Sequence, residues 1–148
     1  MSKASIYAIA ISPERGQLKK EVDSAMVIEN HGIEKDGHAG NWNRQVTCLD
    51  LASVKAASSK NNIQFKPGDF AENILIDGLD FTQVTVGSRL RLGLEVILEV
   101  SQIGKEDHPS IVSRTFGVSL LPYEGLFCLV ISGGEIHKGD PVEIVESR

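Results

Sequence analysis

The stretch "VGSRLRLGLEVILEVSQIG", residues 86–104, decides the fold class of this chain. Its apolar residues recur at a period of two, which is typical of strands that bury one face. Gly87 and Gly93 interrupt the pattern, because glycine marks turns and breaks between strands. The segment therefore predicts two adjoining strands, over residues 88–92 and 94–103.

The same period of two recurs on both sides of this segment. It predicts further strands over residues 5–12, 24–32, 44–51, 72–80, 126–132 and 141–146. One helix is predicted over 51–62, with Asp50 as its N-cap and Asn61–Asn62 as its end. Many short strands, Gly-rich turns and one or two short helices predict a single all-β domain over 1–148, either an antiparallel barrel or a sandwich.

The composition narrows the class of function. A formal net charge of −5 argues against a general nucleic-acid binder, which needs a basic surface. The sequence contains no run of about 18 apolar residues, so we predict no membrane contact and a cytoplasmic location. Cys48 and Cys128 lie in apolar runs, which favours buried free thiols over a disulfide or a nucleophile.

Residues 104–124 form the longest stretch without strand periodicity, and such segments are often functional. The stretch begins "GKEDHPS", which places Lys105, Glu106, Asp107 and His108 side by side. Its middle, "SIVSRTF", favours a helical turn. We therefore expect a site in this segment.

Three chemistries compete for the polar residues at the predicted turns. A metal site would draw on the four histidines, His31, His38, His108 and His137. The sequence lacks a tight pair such as HxH or HExxH, so solvated loop histidines are the alternative, and we predict no metal held directly by the protein. Acid–base catalysis would pair Asp36 with His38, or Asp107 with His108, against the alternative of a solvated run of charges.

Anion binding is the third possibility. Lys35, Arg44, Lys105 and Arg114 lie near Gly-rich turns whose backbone N–H groups could face a phosphate or a carboxylate. No Walker loop and no GxGxxG follows a strand into a helix, so nucleotide binding of those types is not indicated. Scattered surface charge is the alternative.

Six segments, in order over residues 32–144, resemble the MOSC domain, the molybdenum-cofactor sulfurase C-terminal domain. They are "GIEKDGHAG", "RQVTCLD", "PGDFAENILIDGLD", "VGSRLRLG", "LEVSQIGKEDH" and "EGLFCLVISGGEIHKGDPVEI". The resemblance implies a closed antiparallel β-barrel of about eight strands and a link to the molybdenum cofactor, a pterin dithiolene that carries a phosphate.

The resemblance also implies several activities at the level of the family. Its members bind or carry the cofactor or its sulfur, and some support reduction of N-hydroxylated compounds. Pyridoxal phosphate is associated with the family through a separate cysteine-desulfurase domain. The 148 residues contain no segment that resembles that domain, so we expect no lysine-aldimine chemistry here.

The site residues that the resemblance implies fall on four loops. They are Asp36, Gly37 and His38; Arg44; Glu72 and Asn73; and Lys105 with His108. On this basis Arg44 and Lys105 are expected to contact the phosphate, and Asn73 to hydrogen-bond the pterin edge. His38 and His108 would order the loops or donate protons.

One position departs from the family pattern. Where similar sequences carry a cysteine, giving "KECH", this chain has Asp107, and their further loop cysteines would fall near Ser110 and Ser119. A thiolate can hold a persulfide or bind molybdenum as a soft ligand, whereas aspartate offers only a hard oxygen or a general base. Sulfur relay through residue 107 is therefore excluded, and Asp107 and His108 become the candidate catalytic residues.

The sequence thus predicts a binding module for the molybdenum cofactor or its molybdopterin precursor, without a covalent sulfur anchor. Two alternatives stay open. One is a molybdenum-dependent enzyme that acts on N-hydroxylated substrates or transfers the cofactor's sulfur. The other is a barrel that contacts a molybdopterin-biosynthesis protein.

Overall fold

The computed structural model describes residues 4–107 and 109–147. Eleven strands lie within them: β1 (Ser5–Ile11), β2 (Lys20–Val22), β3 (Ser24–Ile28), β4 (Gly32–Ile33), β5 (Val46–Asp50), β6 (Ile74–Asp77), β7 (Ser88–Leu92), β8 (Val96–Ile103), β9 (Leu126–Ser132), β10 (Gly134–His137) and β11 (Val142–Ser147). The helices are α1 (Leu51–Asn61), α2 (Ile111–Phe116) and α3 (Leu121–Glu124), with a 3₁₀ turn at Phe81–Gln83. Within these residues, no helix has the length and apolarity needed to cross a bilayer.

The two strands predicted around Gly93 form the expected hairpin. In the antiparallel pair β7–β8, Leu90 lies opposite Leu98 and Leu92 opposite Val96. These four side chains are 0% exposed, so the period of two does mark the buried face. The second strand starts at Val96 rather than at residue 94, because residues 93–95 form the turn.

The main sheet has eight strands in the order β11-β7-β8-β9-β5-β6-β1-β2. A three-stranded sheet, β10-β3-β4, lies beside it. One pair departs from the predicted antiparallel pattern: β5 and β6 are parallel. The reason is that α1 lies between them in the chain and makes a crossover connection, which returns the chain in the same direction.

The main sheet is not closed into a barrel. Its ends approach where Ile6 N donates to Asp140 O at 2.8 Å and Val142 N donates to Ala4 O at 3.0 Å. Among the described residues, the only β-bridge outside the named strands is the one between Ser5 and Pro141. It does not extend into a ladder between the two edge strands. The prediction is therefore confirmed for a mostly β protein with short helices, whereas full closure is not confirmed.

Three larger differences from prediction lie elsewhere in the chain. The strand expected over 24–32 ends at Ile28, where the chain turns through Asn30 at a φ of 52°. The strand expected over 72–80 is limited to Ile74–Asp77. The predicted wide turn after β9 contains β10, which pairs with β3.

Two apolar clusters hold the elements together. The larger is formed mainly by residues of the strands and includes Cys48 and Cys128, which are both free and 0% exposed. Hydrogen bonding to Cys48, together with burial, raises the pKa of the Cys128 thiol well above its usual range. The prediction of buried free thiols is confirmed.

The smaller cluster packs the helices against the outside of the sheet. Its buried members include Leu51 and Val54 of α1, Val112 of α2 and Leu121 of α3. The N-cap of α1 is Asp50, whose side chain accepts the Ala52 N–H, as predicted. This cluster fixes α2 and α3, the elements beside the candidate site.

Candidate functional site

A buried ion pair lies at the centre of the candidate site. Lys19 Nζ is 2.7 Å from Asp36 Oδ1, and both side chains are 0% exposed. The Asp36 carboxylate also accepts the backbone N–H groups of Ser12 and His38, each at 3.1 Å. Asp36 is therefore fully used in joining the turn after β4 to the chain that leaves β1.

Lys19 determines which ring nitrogen of His38 carries the proton. Its ammonium lies 2.9 Å from His38 Nδ1 and 3.3 Å from Ser12 Oγ, in addition to the Asp36 contact. Because an ammonium only donates, Nδ1 accepts and the ring proton sits on Nε2. Burial, and next the Lys19 charge, lower the pKa of His38 to about 4. At neutral pH the ring is neutral and offers an Nε2–H donor.

The connection between β1 and β2 contacts the loop that carries His38 and holds it in place. Arg15 Nε donates to Gly37 O at 3.2 Å, and its guanidinium lies 4.0 Å from the centre of the Trp42 ring. Trp42 Nε1 in turn donates to His38 O at 2.7 Å. A Cβ at residue 37 would lie 2.5 Å from the Glu14 carbonyl carbon, so this approach requires glycine.

Beside His38 lies a cavity of about 300 Å³. Its polar wall contains His38, Lys105, Ser110, Arg114 and Ser119. Its apolar wall includes Phe70, Val112, Leu121 and Pro122. A lining that contains both cations and apolar side chains suits a ligand with both an anionic group and a flat apolar part.

Lys105 is the half-buried cation of this cavity. Burial, and next the charge of Arg44, lower its pKa, whereas Glu106 and Asp107 oppose that shift. Within residues 4–107 and 109–147, its ammonium has no ion pair or hydrogen bond. A half-buried cation without a partner is what an anion site requires before its ligand arrives.

Arg44 lies next to Lys105 but outside the cavity lining. Its Nε donates to Gln102 Oε1 at 3.4 Å, and its terminal nitrogen lies 3.5 Å from Glu106 Oε2. Its guanidinium sits over the Phe127 ring at 5.1 Å. The structure therefore places Arg44 close to Lys105. Lys105 lines the cavity, whereas Arg44 lies behind it and does not. Lys35, another of the cations predicted to bind an anion, does not line the cavity.

Asn73 occupies a structural position rather than the cavity wall. Its side chain is 1% exposed, donates to Ala10 O at 3.1 Å and accepts Thr47 N–H at 3.0 Å. The amide thus links β1 to β5 through the residue that precedes β6. The expected contact between Asn73 and a pterin edge has no exposed polar atom to make it.

Glu72 holds the turn before β6. Its carboxylate accepts Gly68 N–H at 2.8 Å and Phe70 N–H at 3.1 Å. Burial, opposed by these backbone donors, raises its pKa from 4.5 to about 7. Phe70 and Ala71 of the same turn line the cavity, so Glu72 supports one wall.

We expect the stability of the protein to fall as the pH rises through the range of Glu72. The folded state keeps a proton up to about pH 7 that the unfolded chain releases near pH 4.5, so the stabilisation is complete below 4.5 and lost above 7. This group alone lowers the free energy of unfolding by about 3 kcal/mol between pH 5 and pH 8.

Urea unfolding of the wild type and of Glu72→Gln at several pH values tests this expectation. The variant is less stable at low pH, because the amide oxygen replaces only one of two acceptors. Its dependence on pH over this range should be flatter by the amount that Glu72 contributes. Parallel curves for the two proteins would contradict the assignment.

Asp107 lies on the surface, outside the cavity lining. Its carboxylate accepts a hydrogen bond from the hydroxyl of Tyr123, an exposed residue of α3. Ser110 and Ser119, at the positions where the resemblance places further cysteines, do line the cavity. His108, the other candidate catalytic residue, lies outside the described residues.

No group of histidine, cysteine, aspartate and glutamate within residues 4–107 and 109–147 has the arrangement of a metal site. His137 contacts Glu135 and Asp140 at the surface, and His38 is engaged with Lys19.

Sequence reasoning missed Lys19, Arg15 and Trp42 as parts of this site. Lys19 stands beside Lys20 in "LKKEV", which has the pattern of a solvated strand edge. Only its burial identifies it, and burial depends on residues 36–38 packing against it. Nothing in the local sequence distinguishes the two lysines.

The family model described as "MOSC domain" matches residues 35–143. No curated protein matches the sequence at a significant level.

Among solved structures, YuaD from Bacillus subtilis superposes with a TM-score of 0.75 at 18% identity, over 95% of this chain and 94% of that one. YiiM from Geobacillus stearothermophilus gives 0.76 at 20% identity, over 97% and 75%. YiiM from Escherichia coli gives 0.70 at 21%, over 97% and 70%. At these identities the likeness concerns the fold.

Proposed function

The chain belongs to the MOSC domain family, and from this premise we propose that it binds the molybdenum cofactor or its molybdopterin precursor without a covalent bond. The observation that carries the proposal is the half-buried Lys105 ammonium, which has no partner among the described residues and faces a cavity with an apolar wall. A phosphate-bearing pterin has the two matching parts.

The residues of the cavity divide the binding task. Lys105 and Arg114 would hold the phosphate, and His38 would donate a hydrogen bond through Nε2–H. Phe70 and Leu121 would pack against the ring. When bound, the cofactor supplies two-electron redox chemistry at molybdenum.

The proposal does not include sulfur transfer. Residue 107 is an aspartate, the cavity lining contains serines but no cysteine, and Cys48 and Cys128 are 0% exposed. A persulfide needs an accessible thiolate, and neither buried thiol can provide one without opening the core.

We expect Lys105→Met to weaken molybdopterin binding about 10-fold, because it removes a charge-assisted contact to the phosphate. Quenching of Trp42 fluorescence during titration with molybdopterin measures the affinity. Lys55→Met, at an exposed position of α1, is the matched control and should bind as the wild type does. Equal affinities for all three proteins, or no binding by the wild type, would reject the proposal.

A second candidate is a molybdenum-dependent enzyme that reduces N-hydroxylated substrates. The buried contacts among Lys19, Asp36 and His38 favour it, because they hold a proton on His38 Nε2 at the edge of the cavity. Turnover by the cofactor-loaded wild type, and its loss in His38→Gln with cofactor still bound, would select this candidate. Cofactor binding without turnover would reject the enzyme and support the binding module.

A further inference from the structure

The loop that carries Lys105 is tied to α3 by its backbone. Gly104 N donates to Gly125 O at 2.9 Å, and Lys105 N donates to Pro122 O at 3.0 Å. A Cβ at residue 104 would lie 2.7 Å from Pro122 O, so the loop packs directly on the helix. The backbone of Lys105 is therefore set by α3, which also contributes Leu121 and Pro122 to the cavity wall.

A side-chain contact closes the outer end of this loop. The Tyr123 hydroxyl donates to the carboxylate of Asp107, which lies two residues beyond Lys105. We call this hydrogen bond the latch. Both residues are exposed, so the contact does not serve the core.

Asp107 also acts on Lys105 through its charge. Burial and Arg44 disfavour the charged ammonium, while Glu106 and Asp107 favour it. Among the residues that the structure describes, His38, which is neutral above about pH 5, and Arg114 also line the cavity with Lys105. Asp107 therefore opposes the two effects that lower the pKa of Lys105.

We propose that Asp107 is a positioning residue, which holds the Lys105 loop against α3 through the latch and so fixes the Lys105 ammonium at the cavity for an anionic ligand. The inference rests on the proposed function only in taking Lys105 as the anion contact. It gives this chain's aspartate a role other than that of the thiol it replaces.

Two variants separate the latch from the charge. Tyr123→Phe removes the donor and keeps the Asp107 charge, whereas Asp107→Asn removes the charge and keeps an acceptor. Sulfate is the probe, since its charge is constant from pH 6 to pH 10, and calorimetry measures its affinity. At pH 7 we expect Tyr123→Phe to bind about threefold more weakly than the wild type.

The pH profile of Asp107→Asn provides a readout that a purely structural role would not change. Sulfate affinity falls as Lys105 loses its proton, and without Asp107 this fall should begin about half a pH unit lower. Below that range the variant should bind sulfate at least as tightly as the wild type, because a negative charge near the anion is gone. In a Lys105→Met background Tyr123→Phe should have no effect, and Asp107→Asn should no longer shift the pH at which sulfate affinity falls.

The latch itself has a spectroscopic signature. The hydrogen bond to Asp107 raises the pKa of Tyr123, so Asp107→Ala, which removes the acceptor, should lower it again. Absorbance titration of tyrosinate in a Tyr7→Phe background, where Tyr123 is the remaining tyrosine, measures this shift.

The outcomes separate this inference from the proposed function. Superimposable pH profiles, an unchanged Tyr123 titration, or sulfate binding that is absent or independent of Lys105 would overturn the role of Asp107. Sulfate binding with these signatures, but no molybdopterin binding, would uphold the role of Asp107 and reject the proposed function.

Discussion

Replacing Lys19 by methionine is expected to lower the free energy of unfolding by about 4 kcal/mol. The substitution leaves the Asp36 carboxylate, which is 0% exposed, without its cation, and removes a donor from His38 and from Ser12. An isolated buried charge costs far more than the pair stabilises, because its hydration is lost without compensation. Urea unfolding at pH 7 measures the change.

The neighbouring residue provides a matched control. Lys20 is exposed, so Lys20→Met should change the free energy of unfolding by less than about 0.5 kcal/mol. The double variant Lys19→Met/Asp36→Asn should recover part of the loss, because the orphaned charge is gone. Equal effects of the two single lysine substitutions would show that the buried ion pair does not form.

The same variant should change the titration of His38. Lys19 lowers the pKa of His38 and Asp36 raises it, so removing Lys19 leaves the raising effect and moves the pKa upward from about 4. NMR titration of the ring protons follows this change at a single residue. A His38 that still titrates near pH 4 in Lys19→Met would contradict the contact between the two side chains.

Gly68→Ala is expected to cost about 3 kcal/mol or more, because backbone strain and overpacking add at one position. Gly68 has a φ of 90°, and a Cβ there would lie 2.2 Å from Lys19 O. The obstructing atoms belong to backbone, so they cannot rotate away. Lys19 N also donates to Gly68 O at 3.1 Å, and a shift here would move the ammonium that holds His38.

Gly16 is the control for the strain alone. Its φ is 79°, but a Cβ there has no atom within 4 Å, so Gly16→Ala should cost only about 1 kcal/mol. Thermal and urea unfolding of both variants separate the two contributions. Similar losses for both would mean that the turn at residue 68 moves away from Lys19 without cost.

Local patterns predicted the elements whose causes are local. The alternation in residues 88–103 reports one buried face, and Asp50 caps the helix that follows it, since both signals depend on neighbours in the chain. The buried thiols were predictable for the same reason. Strand β10 was not, because a Gly-rich segment becomes a strand only when β3 is beside it.

The candidate site shows the same division. Motif resemblance selected His38, Arg44 and Lys105, which the fold does bring together around one region. It also selected Asn73, whose amide the sheet uses to join strands. The local sequence does not show whether the Asn73 amide faces a ligand or joins strands, because that depends on what the fold packs around it.

The sequence by itself determined the β-rich class, the helix after Asp50, the family and the absence of a thiol at residue 107. Only the tertiary structure decided that Lys19 is buried and Lys20 exposed, that β5 and β6 run parallel, and that Asp107 faces Tyr123 rather than the cavity. The reason is physical: periodicity and caps arise from residues close in the chain, whereas burial and charge pairing arise from residues brought together by folding.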